Sequence, residues 1–166
     1  MKYIFLFIPI LFLFSCEDDE DVVEQNLIEF LKGKVYQQDI PAGKRYVKFD
    51  LSLLSEEDTA TGGRGKQYEG WTYYEKHDDD IEGKGCFLAG SVSSSNYGLY
   101  QMWYTDTIID NTTQFKLDGI YGQTWIVTKN DDGKISIDYG NVGQTSFIDD
   151  GYTEMNLDEF NELDCK

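Results

Sequence analysis

Hydrophobic and polar positions change their spacing several times along the chain. From Tyr3 to Phe14 every residue is apolar, with Lys2 ahead of the run and Ser15 and Cys16 behind it. Twelve residues rising about 1.5 Å each do not comfortably cross a hydrocarbon core of roughly 30 Å. The run has no polar face to show water, so it reads as the apolar region of a signal peptide rather than as a core helix or strand. From Asp21 to Leu31, Val23, Leu27, Phe30 and Leu31 recur at helical spacing, with acids in the first turn and Gly33 just past the end. This predicts a short amphipathic helix that acts as a lid or plug against the body.

From Lys34 the period falls to two. Val47, Phe49, Leu51 and Leu53 alternate with Lys48, Asp50 and Ser52, the mark of a strand with one face inward. Further strands are predicted near Val35 to Gln38, Tyr68 to Glu75, Lys84 to Val92, Leu99 to Thr105, Thr113 to Asp118, Gln123 to Thr128 and Lys134 to Tyr139, about eight in all, with Thr145 to Ile148 as a possible ninth. Turn signals separate them at Pro41 to Gly43, Gly62 to Gly65, His77 to Gly83, Ser93 to Gly98, Asp118 to Gly122 and Asn130 to Gly133. The last is a strong hairpin signal, because Asn and Asp accept turn conformations and Gly supplies positive φ. Short strands and short turns with no long helix between them predict an antiparallel meander, mainly β, that hides its edges by closing into a barrel or bending into a sandwich.

The end of the chain returns to helical spacing. Asn156 is placed to cap, Glu159 follows three residues on, and Met155 is placed to staple against Phe160, with Leu157, Phe160 and Leu163 on one face before Cys165. A helix at each end of an eight-strand meander, with the C-terminal segment linked to the wall, resembles the lipocalin-like domains of small bacterial lipoproteins. The first strand departs from the lipocalin Gly-x-Trp pattern, since Gly33-Lys34-Val35-Tyr36 carries no tryptophan. What the resemblance implies is a barrel over Leu27 to Lys166 with a ligand cavity inside.

The leader carries a second and closer resemblance. Leu13-Phe14-Ser15-Cys16 after a basic residue and an apolar run resembles the lipobox of bacterial lipoproteins. The resemblance implies that Cys16 becomes the lipid-modified first residue of the mature chain, held by several acyl chains at about 0.8 kcal/mol per buried methylene. Glu17-Asp18-Asp19-Glu20-Asp21 forms a self-repelling, solvated spacer. It also looks like the acidic export signal that, in one group of Gram-negative bacteria, sends lipoproteins to the cell surface. The expected organisation is therefore a signal peptide at 1–15, a lipidated acidic tether at 16–21 and a single β-rich domain at 22–166. The expected location is the outer membrane, surface-exposed, with a periplasm-facing anchor as the alternative.

Removal of residues 1–15 leaves 151 of the 166 residues, enough for one domain with a real core. The formal net charge is −17, and loss of Lys2 makes the mature chain one unit more negative. Nucleic-acid binding needs a basic footprint and is excluded as a first reading, whereas neutral or basic partners are favoured. Cys86 and Cys165 remain after Cys16, and in an exported protein an even pair reads as a disulfide rather than as two thiols. The loop it closes would stabilise the fold by roughly 4 kcal/mol.

Aromatic residues concentrate in the central strands. Around Leu99 to Tyr104 both strand faces are partly apolar, and Tyr73, Tyr100, Met102, Trp103, Tyr104 and Trp125 are the candidate ligand or partner surface. Ordinary cross-strand packing is the competing account. Asp78, Asp80 and Glu82 before Gly83 resemble half of a calcium loop, but Ala89 stands where such a loop needs its bidentate carboxylate, so an acidic solvated turn is preferred. No nucleophile elbow, phosphate-cradling loop or metal-binding His pair occurs, and neither enzyme activity nor a cofactor is expected; a carboxylate-based hydrolase stays a minor alternative. Two functions follow. One is a lipocalin-like module holding a small apolar or aromatic-compatible ligand, which predicts a closed barrel with a ligand-sized void and few charges inside. The other is an acidic protein-interaction or immunity/inhibitor-type lipoprotein, which predicts a filled interior and an exposed aromatic patch.

Overall fold

The computed structural model describes residues 26–63, 65–78, 85–92, 103–105, 112–119, 122–141 and 147–165. The strands are β1 (Val35–Ile40), β2 (Gly43–Phe49), β3 (Leu53–Glu56), β4 (Lys66–Tyr68), β5 (Trp71–His77), β6 (Cys86–Val92), β7 (Trp103–Thr105), β8 (Gln114–Gly119), β9 (Gln123–Lys129), β10 (Ile135–Asn141) and β11 (Phe147–Met155). Two helices flank them, α1 (Leu27–Leu31) and α2 (Leu157–Asn161). The strands form one antiparallel sheet in the order β3-β4-β7-β8-β9-β10-β11-β1-β2-β5-β6.

Two of the predicted strands are broken by a corner. β2 pairs with β5 and β3 with β4, so the four make one long hairpin bent at Asp50 to Ser52 and at Glu69-Gly70. At the bend the amides of Asp50 and Leu51 both donate to the Gly70 carbonyl, and that of Glu69 to Ser52. Leu51 takes a φ of +52° and is buried, which breaks the alternation and leaves Leu53 and Leu54 about half exposed rather than inward. Gly70 is required at the corner, because a Cβ there would run into the backbone carbonyl of Val92 on β6.

β11 brings the meander round on itself. Its first part pairs with β10 and its last residues, Thr153 to Met155, pair with Val35 to Gln37 of β1, across a register shift near Gly151. Among the described residues β3 and β6 remain the two ends of the sheet, so of the expected barrel or bent sandwich the chain forms an open, strongly bent version. The β9–β10 turn forms as predicted: Gly133 has a φ of +80° and its amide donates to the Asn130 carbonyl.

Inward residues alternate cleanly, as at Phe115 and Leu117 on β8, and Trp125 and Val127 on β9, all buried. α1 closes one end of this interior. Asn26 caps it by accepting from the Glu29 amide at 3.0 Å, and Leu27, Ile28 and Leu31 are fully buried against Phe49, Trp71 and Phe115. A five-residue helix does not persist alone, so its burial holds it as the predicted plug. The expected start at Asp21 lies outside the described residues. α2 lies on the outer face, where Phe160 packs with Val35, Tyr46 and Cys86, and Cys86 is joined to Cys165 with a Cα separation of 4.4 Å. Leu157, expected on the buried face, is exposed.

Candidate functional site

The interior changes character at the end away from α1. On β2 the inward positions run Phe49, Val47, Arg45, and on β5 they run Trp71, Tyr73, Glu75, so alternation itself delivers charged side chains to the open end. Arg45 is the hub. Its Nε donates to Glu75 Oε1 at 2.9 Å, its Nη2 lies 2.8 Å from the same oxygen, and its Nη1 donates to Asp149 Oδ2 at 2.8 Å. Asp149 comes from β11 and also accepts from Gln38 Nε2 at 2.8 Å and from the Tyr152 hydroxyl. His77 Nε2 sits 3.0 Å from the other oxygen of Glu75.

Every carboxylate oxygen of the pair therefore has a partner. The side chains of Arg45, Glu75 and Asp149 are only 28%, 17% and 15% exposed, shielded to the same degree as the Lys116–Asp118 pair and more than the pairs of Lys34, Lys44 and Lys134. Burial works against the Glu75 carboxylate, but the hydrogen bonds from His77 and Arg45 outweigh it and hold Glu75 below its ordinary range. Burial likewise opposes the Arg45 charge, and Glu75, Tyr152 and Asp149 more than offset it. Burial pushes the Tyr73 hydroxyl up to about 12, and burial followed by the bond to Asp149 raises Tyr152.

Beside this network is a cavity of about 350 Å³, open to solvent on one side. Arg45, Tyr73, Glu75 and Asp149 line it together with Ala89 to Val92 of β6, and Trp125, Ile137 and Tyr139 close it opposite. The Trp125 and Tyr139 rings pack at 5.0 Å between centroids and 51° between planes. The space exists because β6 presents small residues there. Gly90 pairs with Tyr73, and a Cβ on it would meet nothing within 4 Å. A larger depression of about 480 Å³ lies near the α1 end, lined by Lys32, Lys48, Asp50 and Tyr74 among others, without such a network.

Of the predicted surface, Tyr73 and Trp125 meet in this cavity. Trp103 and Tyr104 lie on β7, paired with Tyr68 and Gln67, and nothing beyond their backbone is described. Tyr100 and Met102 lie outside the described residues, as do Cys16, Asp80 and Glu82. Asp78 directly follows β5, its amide donating to the Ala42 carbonyl. Among the described residues no three potential ligands gather as a metal site, and no helix is long and apolar enough to cross a membrane.

The expectation of few charges inside the barrel is corrected, since three charged groups line the cavity. Sequence reasoning missed Arg45, Glu75, Tyr139, Asp149 and Tyr152. The available signal was the inward parity of Arg45 with Val47 and Phe49, and of Glu75 with Trp71 and Tyr73. No protein-family model matches the chain, and no curated protein or solved structure matches it either.

Proposed function

We propose that the chain is an exported, lipid-anchored binding protein that holds a small molecule with an apolar or aromatic body in the open end of its barrel. In this reading Cys16 carries the lipid, the acidic run after it is the tether, and the barrel stands at the outer membrane surface. The observation that supports ligand binding is the cavity, whose 350 Å³ lies within the roughly 300–1,000 Å³ range of small-molecule sites. Its composition also fits: Tyr73, Val92, Trp125, Ile137 and Tyr139 supply apolar area, while the Arg45 network fixes direction at one side.

A ligand that buries roughly 200 Å² of apolar surface gains about 5 kcal/mol from desolvation. The network's hydrogen bonds are already formed within the protein, so little rotamer entropy is lost when the ligand enters. Gly90→Phe tests the reading, because its ring enters open space opposite Tyr73 and Gly90 has no positive φ to strain. Native mass spectrometry of the mature chain, recovered gently from its own host, is expected to show an excess of a few hundred daltons over the denatured mass of the same lipid-bearing chain, an excess that Gly90→Phe lacks. A bare wild-type chain, or equal excess on both, refutes the reading and directs the search to a protein partner.

A further inference from the structure

We infer that the barrel cavity selects a small organic cation, an ammonium-bearing molecule with an apolar or aromatic body. This inference rests on the binding function proposed above and names the class of ligand. The charged groups that line the cavity are one guanidinium, Arg45, and two carboxylates, Glu75 and Asp149. Arg45 spends its bonds on both carboxylates, so the groups that line the cavity count two formal negative charges against one positive, with His77 behind Glu75 adding a positive charge only when protonated.

That excess negative charge sits in a partly desolvated wall, where it acts more strongly than it would in water. A carboxylate ligand meets net repulsion and finds a guanidinium already engaged. A neutral ligand leaves the excess charge as it was. An ammonium group neutralises it without breaking any bond the network makes. The aromatic side of the cavity adds to the same preference, because Tyr73, Trp125 and Tyr139 surround the space and ring faces attract cations by about 0.5–2 kcal/mol. The chain as a whole, at −17, draws cations toward the mouth before contact.

The test is isothermal titration calorimetry of the purified full chain with three indoles that differ in end group. Tryptamine carries an ammonium, tryptophol a hydroxyl and indole-3-acetate a carboxylate. Tryptamine is expected to bind at least tenfold more tightly than tryptophol, and indole-3-acetate more weakly than either. Glu75→Gln is expected to narrow the tryptamine-to-tryptophol ratio severalfold, the ratio and not the affinity for tryptophol being the quantity read. Because that ratio is first read on the wild-type protein, a Glu75→Gln chain that fails to fold leaves the test intact.

Equal or tighter binding of tryptophol, or tightest binding of indole-3-acetate, overturns the cation preference while the binding function stands. If none of the three binds, the mass of the molecule carried from the host decides. A carried base supports the inference, a carried acid or neutral molecule overturns it alone, and a bare chain overturns the binding function with it.

Discussion

Arg45→Met separates the charge network from the rest of the barrel. The methionine keeps most of the apolar stem, so the perturbation is loss of the guanidinium. Three charge-assisted contacts disappear, two to Glu75 and one to Asp149. At roughly 1.5–3 kcal/mol each they sum to an upper figure that must be reduced, because Arg45 is 28% exposed and regains solvation in the unfolded chain. Glu75 and Asp149 are also left as like charges beside one cavity. The net loss is expected at about 2–4 kcal/mol at pH 7, a fall in Tm of roughly 5–15 °C for a domain of this size.

The sign of the pH dependence makes this specific. In the wild-type protein Glu75 is held below its ordinary value of 4.5, so its contribution is present above that pH and is lost as pH falls through the lowered value. In Arg45→Met the Arg45 share of the lowering is gone and only the His77 contact still opposes burial, so Glu75 takes up a proton more readily than it does in the wild-type fold. The variant's deficit should therefore shrink as pH drops from 7 toward 4. Urea unfolding followed by circular dichroism at several pH values reads both quantities. A deficit below about 0.5 kcal/mol at pH 7, or one that stays constant down to pH 4, would refute the account of the network.

Three further outcomes test other parts of the fold. Leu31→Ala removes a fully buried side chain from the α1 plug and should cost about 2–5 kcal/mol in urea unfolding; a loss under 1 kcal/mol means α1 does not close the barrel. Cys165→Ser opens the loop between residues 79 apart and should cost about 4 kcal/mol, with reductant having no further effect on the variant, whereas continued sensitivity to reductant would show that another thiol pair matters. Asn156→Ala removes the acceptor of the Asp158 amide at the start of α2 and should cost about 1 kcal/mol, seen as faster hydrogen exchange in α2, with unchanged exchange arguing that the disulfide alone holds the helix.

The strand pattern was legible because period two is a local property. The predicted segments around Gln123 and Lys134 match β9 and β10 to within a residue or two, and the Asn130 to Gly133 turn carries its own chemistry. The corner was not legible. Leu51 looks like one more inward position of a continuous strand, and only the two hydrogen bonds that the Asp50 and Leu51 amides donate to the Gly70 carbonyl show where the alternation resets. The site was half legible. Tyr73 and Trp125 stood out as aromatic residues in strands, but Arg45 and Asp149 lie 104 residues apart, and no local pattern pairs them. A charge at the end of an apolar stripe also reads as the solvated end of a strand, which is how Arg45 and Glu75 escaped notice. Gly90 escaped for the opposite reason, since a cavity is made by what a strand lacks.

The most direct test of the central claim is a crystal structure of the full chain as recovered from its own host, without added ligand. Ligand binding in the barrel predicts density for an organic molecule in contact with Tyr73, Trp125 and Tyr139, with a polar end toward Glu75 and Asp149. A cavity holding only ordered water, or one closed by movement of β6 onto Trp125 and Tyr139, would contradict it.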